Sequence, residues 1–333
     1  MDLGLFTDAF LKWSLGDVLD WTKREVPSIT RVEIGTGGYS PAPHCDVRSL
    51  LRSGGGRKKW LQSIQSRGFT ISALNVSGNP LNPKPDMAKL HDRHLRDTIR
   101  LAATLGVNCV VCMSGNPGPP GRRADVPHFA ANAWLPEYEH VATWQWEQKV
   151  KPYWQEMVEF ARNEHPDMKI CLELHPGTYV YNMATFKLIR DLGDNLAINL
   201  DPSHFFWQGM DPLAIIAAVG PRVAHVHGKD TRMQRDNIAL NGILDNRWLG
   251  KPEEMPWLFA TVGEGRPAEW WGKFVETLKE HGFDGTISLE YEDPLIGGEE
   301  SVKRSAALLA AAIKGLDSHL GIPTRPMGWR EEK

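Results

Sequence analysis

Four side chains able to ligate a metal, Glu173, Asp201, His227 and Glu290, each end a short strand-like run. The runs are Lys169-Ile-Cys-Leu-Glu173, Leu196-Ala-Ile-Asn-Leu-Asp201, Val223-Ala-His-Val-His227 and Thr286-Ile-Ser-Leu-Glu290. In each, the apolar residues hold one parity (Ile170, Leu172 and Leu174; Leu196, Ile198 and Leu200; Ala224 and Val226; Ile287 and Leu289) and the ligand holds the other. Side chains alternate across a strand, so the four ligands point away from the apolar face. Three carboxylates and an imidazole are mostly hard donors. They suit Mn²⁺ first, with Mg²⁺, Co²⁺ or Zn²⁺ as alternatives. A divalent ion so held polarises a sugar carbonyl and acidifies the neighbouring C–H. Glu173 and Glu290, on nonadjacent strands, would then take and return the proton through a metal-stabilised enediolate.

Other polar residues surround these four. His204, in Asp201-Pro-Ser-His204, is a candidate to hold a substrate oxygen, and His175 follows Glu173 at the same parity. Lys229, Asp230 and Arg232, in His227-Gly-Lys-Asp-Thr-Arg232, offer charge to an enediolate, a carboxylate or a phosphate. Glu33, at the end of an earlier strand run, is an inward-facing candidate for substrate contact. Trp207 and Trp248 are candidates to stack on a sugar ring, although packing is the commoner fate of a tryptophan. His225 faces inward one layer deeper and reads as a core histidine.

Positioning four strand ends together needs a repeating frame, and the chain has one. Strand patterns at 2–6, 30–35, 69–75, 108–113, 168–174, 196–201, 223–227 and 285–290 alternate with helical patterns at 16–26, 57–67, 87–105, 141–164, 182–192, 211–218, 268–281 and 299–316. Strict alternation predicts a parallel sheet with crossover helices, and eight repeats predict closure into a (β/α)8 TIM barrel. The ligand spacings of 28, 26 and 63 residues fit one repeat, one repeat and one repeat with an insertion. Residues 114–140 and 228–266 are long connections that follow strands, so both belong to the ligand face, as does Gly78-Asn-Pro-Leu-Asn-Pro83. His91 and His94, in the 87–105 pattern, read as exposed helix residues, and Gly106 as its C-terminal stop. The division expected is a barrel over 1–317 and a tail over 318–333.

Composition narrows the classes further. A formal charge of -3 with interspersed signs gives no reason to expect nucleic acid, and the longest apolar run, Ala306 to Ile313, is too short to cross a bilayer. The N-terminal residues lack the pattern of a signal peptide, so the expected compartment is the cytoplasm. Four cysteines are too few and unpatterned for a disulfide scaffold. Cys109 and Cys112 have C-x-x-C spacing within a strand, where they face opposite sides and read as core thiols.

Leu172-Glu-Leu-His-Pro176, Asn199-Leu-Asp-Pro-Ser-His204, His225-Val-His-Gly-Lys-Asp230 and Ser288-Leu-Glu290 resemble the sugar phosphate isomerase/epimerase family with the xylose isomerase-like barrel, over nearly the whole chain. The resemblance implies one ion held by Glu173, Asp201, His227 and Glu290, a carbohydrate substrate, and a substrate contact at His204. Endonuclease IV shares the barrel but needs further histidines where this chain has Asn75, Ser114 and Arg232, which disfavours a nuclease. The Glu-Leu-His-Pro wording and the 39-residue connection depart from compact ketose epimerases. Relatives that act on keto-sugars or keto-glycosides by elimination, including carbon–glycoside cleavage with a small partner subunit, supply the alternative of a lyase or dehydratase. A homo-oligomer is the other assembly expected. A third reading is a non-catalytic sugar-binding barrel, which glutamates paired to Lys or Arg would favour.

Overall fold

A computed structural model of the chain describes residues 1–121, 125–131, 134–245 and 251–316. The expected tail and Trp248 lie outside the described residues. In chain order the strands are β1 (Asp2–Phe6), β2 (Ile29–Gly35), β3 (Thr70–Asn75), β4 (Cys109–Met113), β5 (Lys169–Glu173), β6 (Leu196–Leu200), β7 (Val223–Gly228), β8 (Asp230–Met233), β9 (Trp257–Ala260) and β10 (Thr286–Leu289). Eight of them close a parallel barrel in the order β1-β10-β7-β6-β5-β4-β3-β2, while β8 and β9 form a separate two-stranded sheet. Every end of the eight barrel strands lies within one residue of its expected place. No described helix is long and apolar enough to cross a membrane.

Contacts are densest within two units. The first comprises Glu33–Ser66 and Ile71–Leu200, and contains β3 to β6. The β5–β6 register sets Ile170 beside Leu196 and Glu173 beside Asn199. Ile170, Leu172 and Ile198 are fully buried on the outward face, where the helix Lys151–Glu164 turns Trp154, Met157, Val158 and Ala161 into the core. Burying side chains of this size is the main favourable term, about 1.5–3 kcal/mol each. That helix continues from Pro136–Gln145 through a π turn at Trp146–Val150, so the helical run begins five residues earlier than its periodicity predicts. The short helix Val47–Arg52 was not anticipated.

The helix Pro85–Leu105 ends as expected, at Gly106 in a left-handed conformation (φ 71°). Its two histidines correct the expectation of exposure. His91 is buried, and its Nδ1 accepts the Asn79 N–H at 2.8 Å; His94 Nδ1 accepts the Gly38 N–H at 3.0 Å. Both rings cap backbone donors of the connections after β2 and β3, a use that helical spacing cannot reveal.

The second unit comprises Met1–Val32, Arg67–Thr70 and the chain from Asp201 on. Its barrel strands pair with Gly4 beside Ser288 and Ser288 beside His227. The helices Ala268–Glu280 and Gly298–Ile313 pack on each other, with Trp271, Phe274, Leu278 and Leu309 buried. The long connection after β7 holds a helix (Arg235–Asn241) and the antiparallel pair β8–β9.

One carboxylate anchors that connection. Asp230 Oδ2 accepts the N–H groups of Gly263, Gly265 and Arg266 at 3.1, 3.0 and 2.9 Å, and the Trp271 indole at 3.3 Å. Its Oδ1 accepts the Thr231 N–H at 2.7 Å. Burial pushes this carboxyl up to about 6, against the pull of the donated N–H groups. Gly265 lies so close that a Cβ there would meet the Thr231 carbonyl oxygen at 2.1 Å, so a side chain has no room. Asp230→Asn turns one acceptor into a donor facing donors and should lower stability by about 1–3 kcal/mol in urea unfolding. An unchanged midpoint would show that the connection is held by something else.

Candidate active site

The second unit gathers a charged cluster from Asp201 and the ends of β7 and β10. Asp201 lies one residue past β6, and its Oδ1 accepts the Ser203 N–H at 2.9 Å, which starts the short helix Ser203–Phe206. That turn brings His204 back, with Nε2 at 3.3 Å from Asp201 Oδ2. His227 Nδ1 is 2.9 Å from Glu290 Oε2 and 3.9 Å from Asp201 Oδ2. Phe6 stacks on the His227 ring at 6.1 Å between centroids. The register explains the approach of His227 and Glu290: Ser288 pairs with His227, and Glu290 is the next residue of the same parity.

Lys229 lies within this cluster, only 2 % exposed. Its Nζ is 3.1 Å from Asp201 Oδ2, 2.7 Å from Glu290 Oε2 and 2.9 Å from Glu292 Oε2, and it sits 4.5 Å over the Phe259 ring. Burial by itself would raise the Asp201 carboxyl. The charge of Lys229 and the imidazoles of His204 and His227 outweigh burial and hold the group well below the usual carboxylate range.

In the first unit, Glu173 ends β5 and is buried, with the Asn199 amide donating to Oε2 at 3.4 Å. Glu33 is fully buried and takes the Asn75 amide on Oε1 at 2.7 Å. His175 Nδ1 is 2.6 Å from the Pro176 carbonyl oxygen. Within the second unit, Asp201, His227 and Glu290 each offer one potential ligand atom, and these atoms lie within 4.8 Å of one another.

The donor set fits a divalent cation. Asp201 Oδ2 and Glu290 Oε2 are buried and accept no well-directed hydrogen bond, although Lys229 is close to both. Such oxygens keep lone pairs for an ion. Three carboxylates with an imidazole give the charge and hardness that Mn²⁺, Mg²⁺, Co²⁺ or Zn²⁺ takes.

The remaining candidates lie on the long connection or beside it. Trp207 is stacked flat on Trp257 at 4.6 Å, an aromatic partner rather than a solitary platform. Arg232, on β8, donates to Glu264 Oε2 at 2.8 Å, and Arg304 pairs with the same carboxylate. His225 is buried beside His227, ring to ring at 5.9 Å, as its deeper register predicts. Sequence reasoning missed Asn199, Glu292 and Phe259. Parity alone marks Asn199, two residues before Asp201, and Glu292, two residues after Glu290. Phe259 carries no such signal, because its place depends on how β8 and β9 pair.

Residues 33–312 match the family model described as the xylose isomerase-like TIM barrel. The protein YfiH of Bacillus subtilis (strain 168), whose function is uncharacterised, is 36% identical over 318 residues, covering 94% of this chain and 99% of its own. An inosose dehydratase of Lacticaseibacillus casei is 28% identical over 136 residues, 38% of this chain and 42% of its own. Among solved structures, the IolI protein with a bound zinc atom superposes with a TM-score of 0.63 at 18% identity, over 96% of this chain and all (100%) of that one. D-psicose 3-epimerase of Clostridium cellulolyticum H10 gives 0.57 at 15% identity, over 94% and 97%. At these identities the structural likeness establishes the fold alone. From the family-model match and the full-length likeness to YfiH, the chain belongs to the xylose isomerase-like TIM barrel family.

Proposed function

We propose that this protein is a divalent-metal-dependent isomerase or epimerase, moving a proton at the carbon beside the carbonyl of a sugar or sugar derivative. The observation that carries the reading is the group Asp201, His227 and Glu290, two carboxylates and an imidazole with ligand atoms within 4.8 Å of one another, to which Glu173, at the end of β5, would add a fourth donor. These four residues would hold the ion, Mn²⁺ by preference. When bound, it supplies Lewis acidity toward a substrate carbonyl.

The chain's own groups do the rest. Glu173 and Glu290, on strands separated by two others in the barrel order, are the acid/base pair. His204 and Lys229 orient substrate oxygens, with His175, Arg232, Glu33 and Trp207 as further substrate contacts. The working compartment is the cytoplasm, where four cysteines outside any disulfide are at home. The partner is a small carbohydrate rather than nucleic acid or a membrane, and the assembly is a homo-oligomer or a pair with a small subunit.

A second reading has a specific observation behind it. The stretch similar to an inosose dehydratase favours an elimination, in which the same proton abstraction is followed by loss of the hydroxyl on the next carbon as water. A non-catalytic barrel is the third reading, and the Lys229–Glu290 ion pair is the feature it calls for.

One experiment separates the three. The Mn²⁺-loaded protein is incubated in D₂O with ketoses, inososes and 3-keto-glucosides, and NMR follows the substrate. Deuterium in the substrate or an epimer supports the isomerase, and an unsaturated product supports the dehydratase. No exchange in any of them, with metal confirmed bound, leaves a missing partner subunit or the binding barrel. In the active case, Glu173→Gln and Glu290→Gln should each lower exchange by about 10²–10⁴-fold, the usual contribution of a positioned acid or base. Full activity in either variant would sink the two-carboxylate mechanism. Removing metal with EDTA should lower the melting temperature and Mn²⁺ should restore it, because a ligand that binds only the native state stabilises it. A melting temperature indifferent to both would count against the metal.

A further inference from the structure

We propose that Lys229 is a built-in counter-cation that contends with the divalent ion for Asp201 and Glu290, and that Glu292 is the seat to which it yields. The inference rests on the metal-dependent reading above. Lys229 Nζ faces the same two oxygens that remain without a directed hydrogen bond, Asp201 Oδ2 at 3.1 Å and Glu290 Oε2 at 2.7 Å. Those oxygens also lie nearest His227 Nδ1, at 3.9 and 2.9 Å. An ammonium and a divalent ion cannot both take these lone pairs at full strength, since each charge repels the other at such range.

The surroundings give the ammonium a second place to go. Glu292 Oε2 is 2.9 Å from Nζ, and this carboxylate is 48% exposed, whereas Asp201 and Glu290 are 1% and 14% exposed. Shifting toward Glu292 moves the positive charge outward without leaving it unpaired. Phe259, 4.5 Å away, presents its ring face to Nζ and supplies a cation–π partner. The backbone has no such freedom. A Cβ at Gly228 would meet Leu309 Cδ1 at 2.8 Å and Leu289 Cδ2 at 3.1 Å, so the chain before Lys229 is wedged against packed side chains. Movement is therefore left to the four-carbon stem of the lysine.

This arrangement makes Lys229 a positioning residue for the ion. It neutralises Asp201 and Glu290 when they hold no metal, and metal binding must displace it. The ammonium thus sets metal affinity lower than the four donors alone would give. Removing the ammonium and removing its outer seat should then shift that affinity in opposite directions.

The test is Mn²⁺ titration by calorimetry and by EPR of the free ion, with melting temperatures of EDTA-treated and Mn²⁺-loaded protein. Lys229→Met keeps most of the stem and should tighten Mn²⁺ binding by about tenfold or more, the scale of relieving a buried like charge. Its metal-free melting temperature should fall and its gain on Mn²⁺ addition should grow. Glu292→Gln should weaken binding by about threefold, the scale of a half-exposed ion pair. The same change in the Lys229→Met background should have no effect, because it acts through the lysine. Equal or weaker Mn²⁺ binding by Lys229→Met overturns the inference, and so does a Glu292→Gln effect that survives without the lysine. Should Lys229→Met fail to fold, unchanged affinity in Glu292→Gln alone is enough to overturn it. Failure of the wild-type protein to bind Mn²⁺ at all would instead overturn the metal-dependent reading, and this inference with it.

Discussion

Buried carboxylates repel one another, and the barrel that carries Glu173, Asp201 and Glu290 is stable only if positive charge or strong donors answer them. The cluster around Asp201 shows how this is met. Lys229, His204 and His227 converge on it from three directions, and their charge overcomes the penalty of burial to keep the carboxyl ionised. Glu173 relies on the neutral amide of Asn199 among its partners, and Glu33 on that of Asn75. Asp201 and Glu290 thus have a full countercharge beside them, while Glu173 and Glu33 each take an amide.

The parts that hold this cluster are not themselves reactive. Asp230 gathers five N–H donors and fixes the connection that carries β8 and β9. That small sheet in turn delivers Phe259 against both Lys229 and His204. A carboxylate three residues past His227 therefore supports the placement of the lysine two residues past it. Long connections after barrel strands commonly carry function because the barrel gives them a rigid base. In this chain the connection packs on a charged side chain, Lys229.

Family membership bounds the chemistry without choosing it. The barrel fold recurs in proteins named as an epimerase and as a probable dehydratase.

The sequence by itself determined the eight strands and their alternation with helices, because strand periodicity is local and a barrel repeats it. His227 and Glu290 could be expected to converge for the same reason: each ends a run whose apolar residues hold the opposite parity. Only the tertiary structure decided the rest. The burial of His91 and the half-burial of His94 go with backbone donors of connections that helical spacing does not see. The pairing of β8 with β9, and hence the place of Phe259, depends on contacts between residues almost thirty positions apart. Lys229 reads in sequence as a charge at a loop entrance. Its buried position among Asp201, Glu290 and Glu292 comes from three segments far apart in the chain, and no local pattern encodes that meeting.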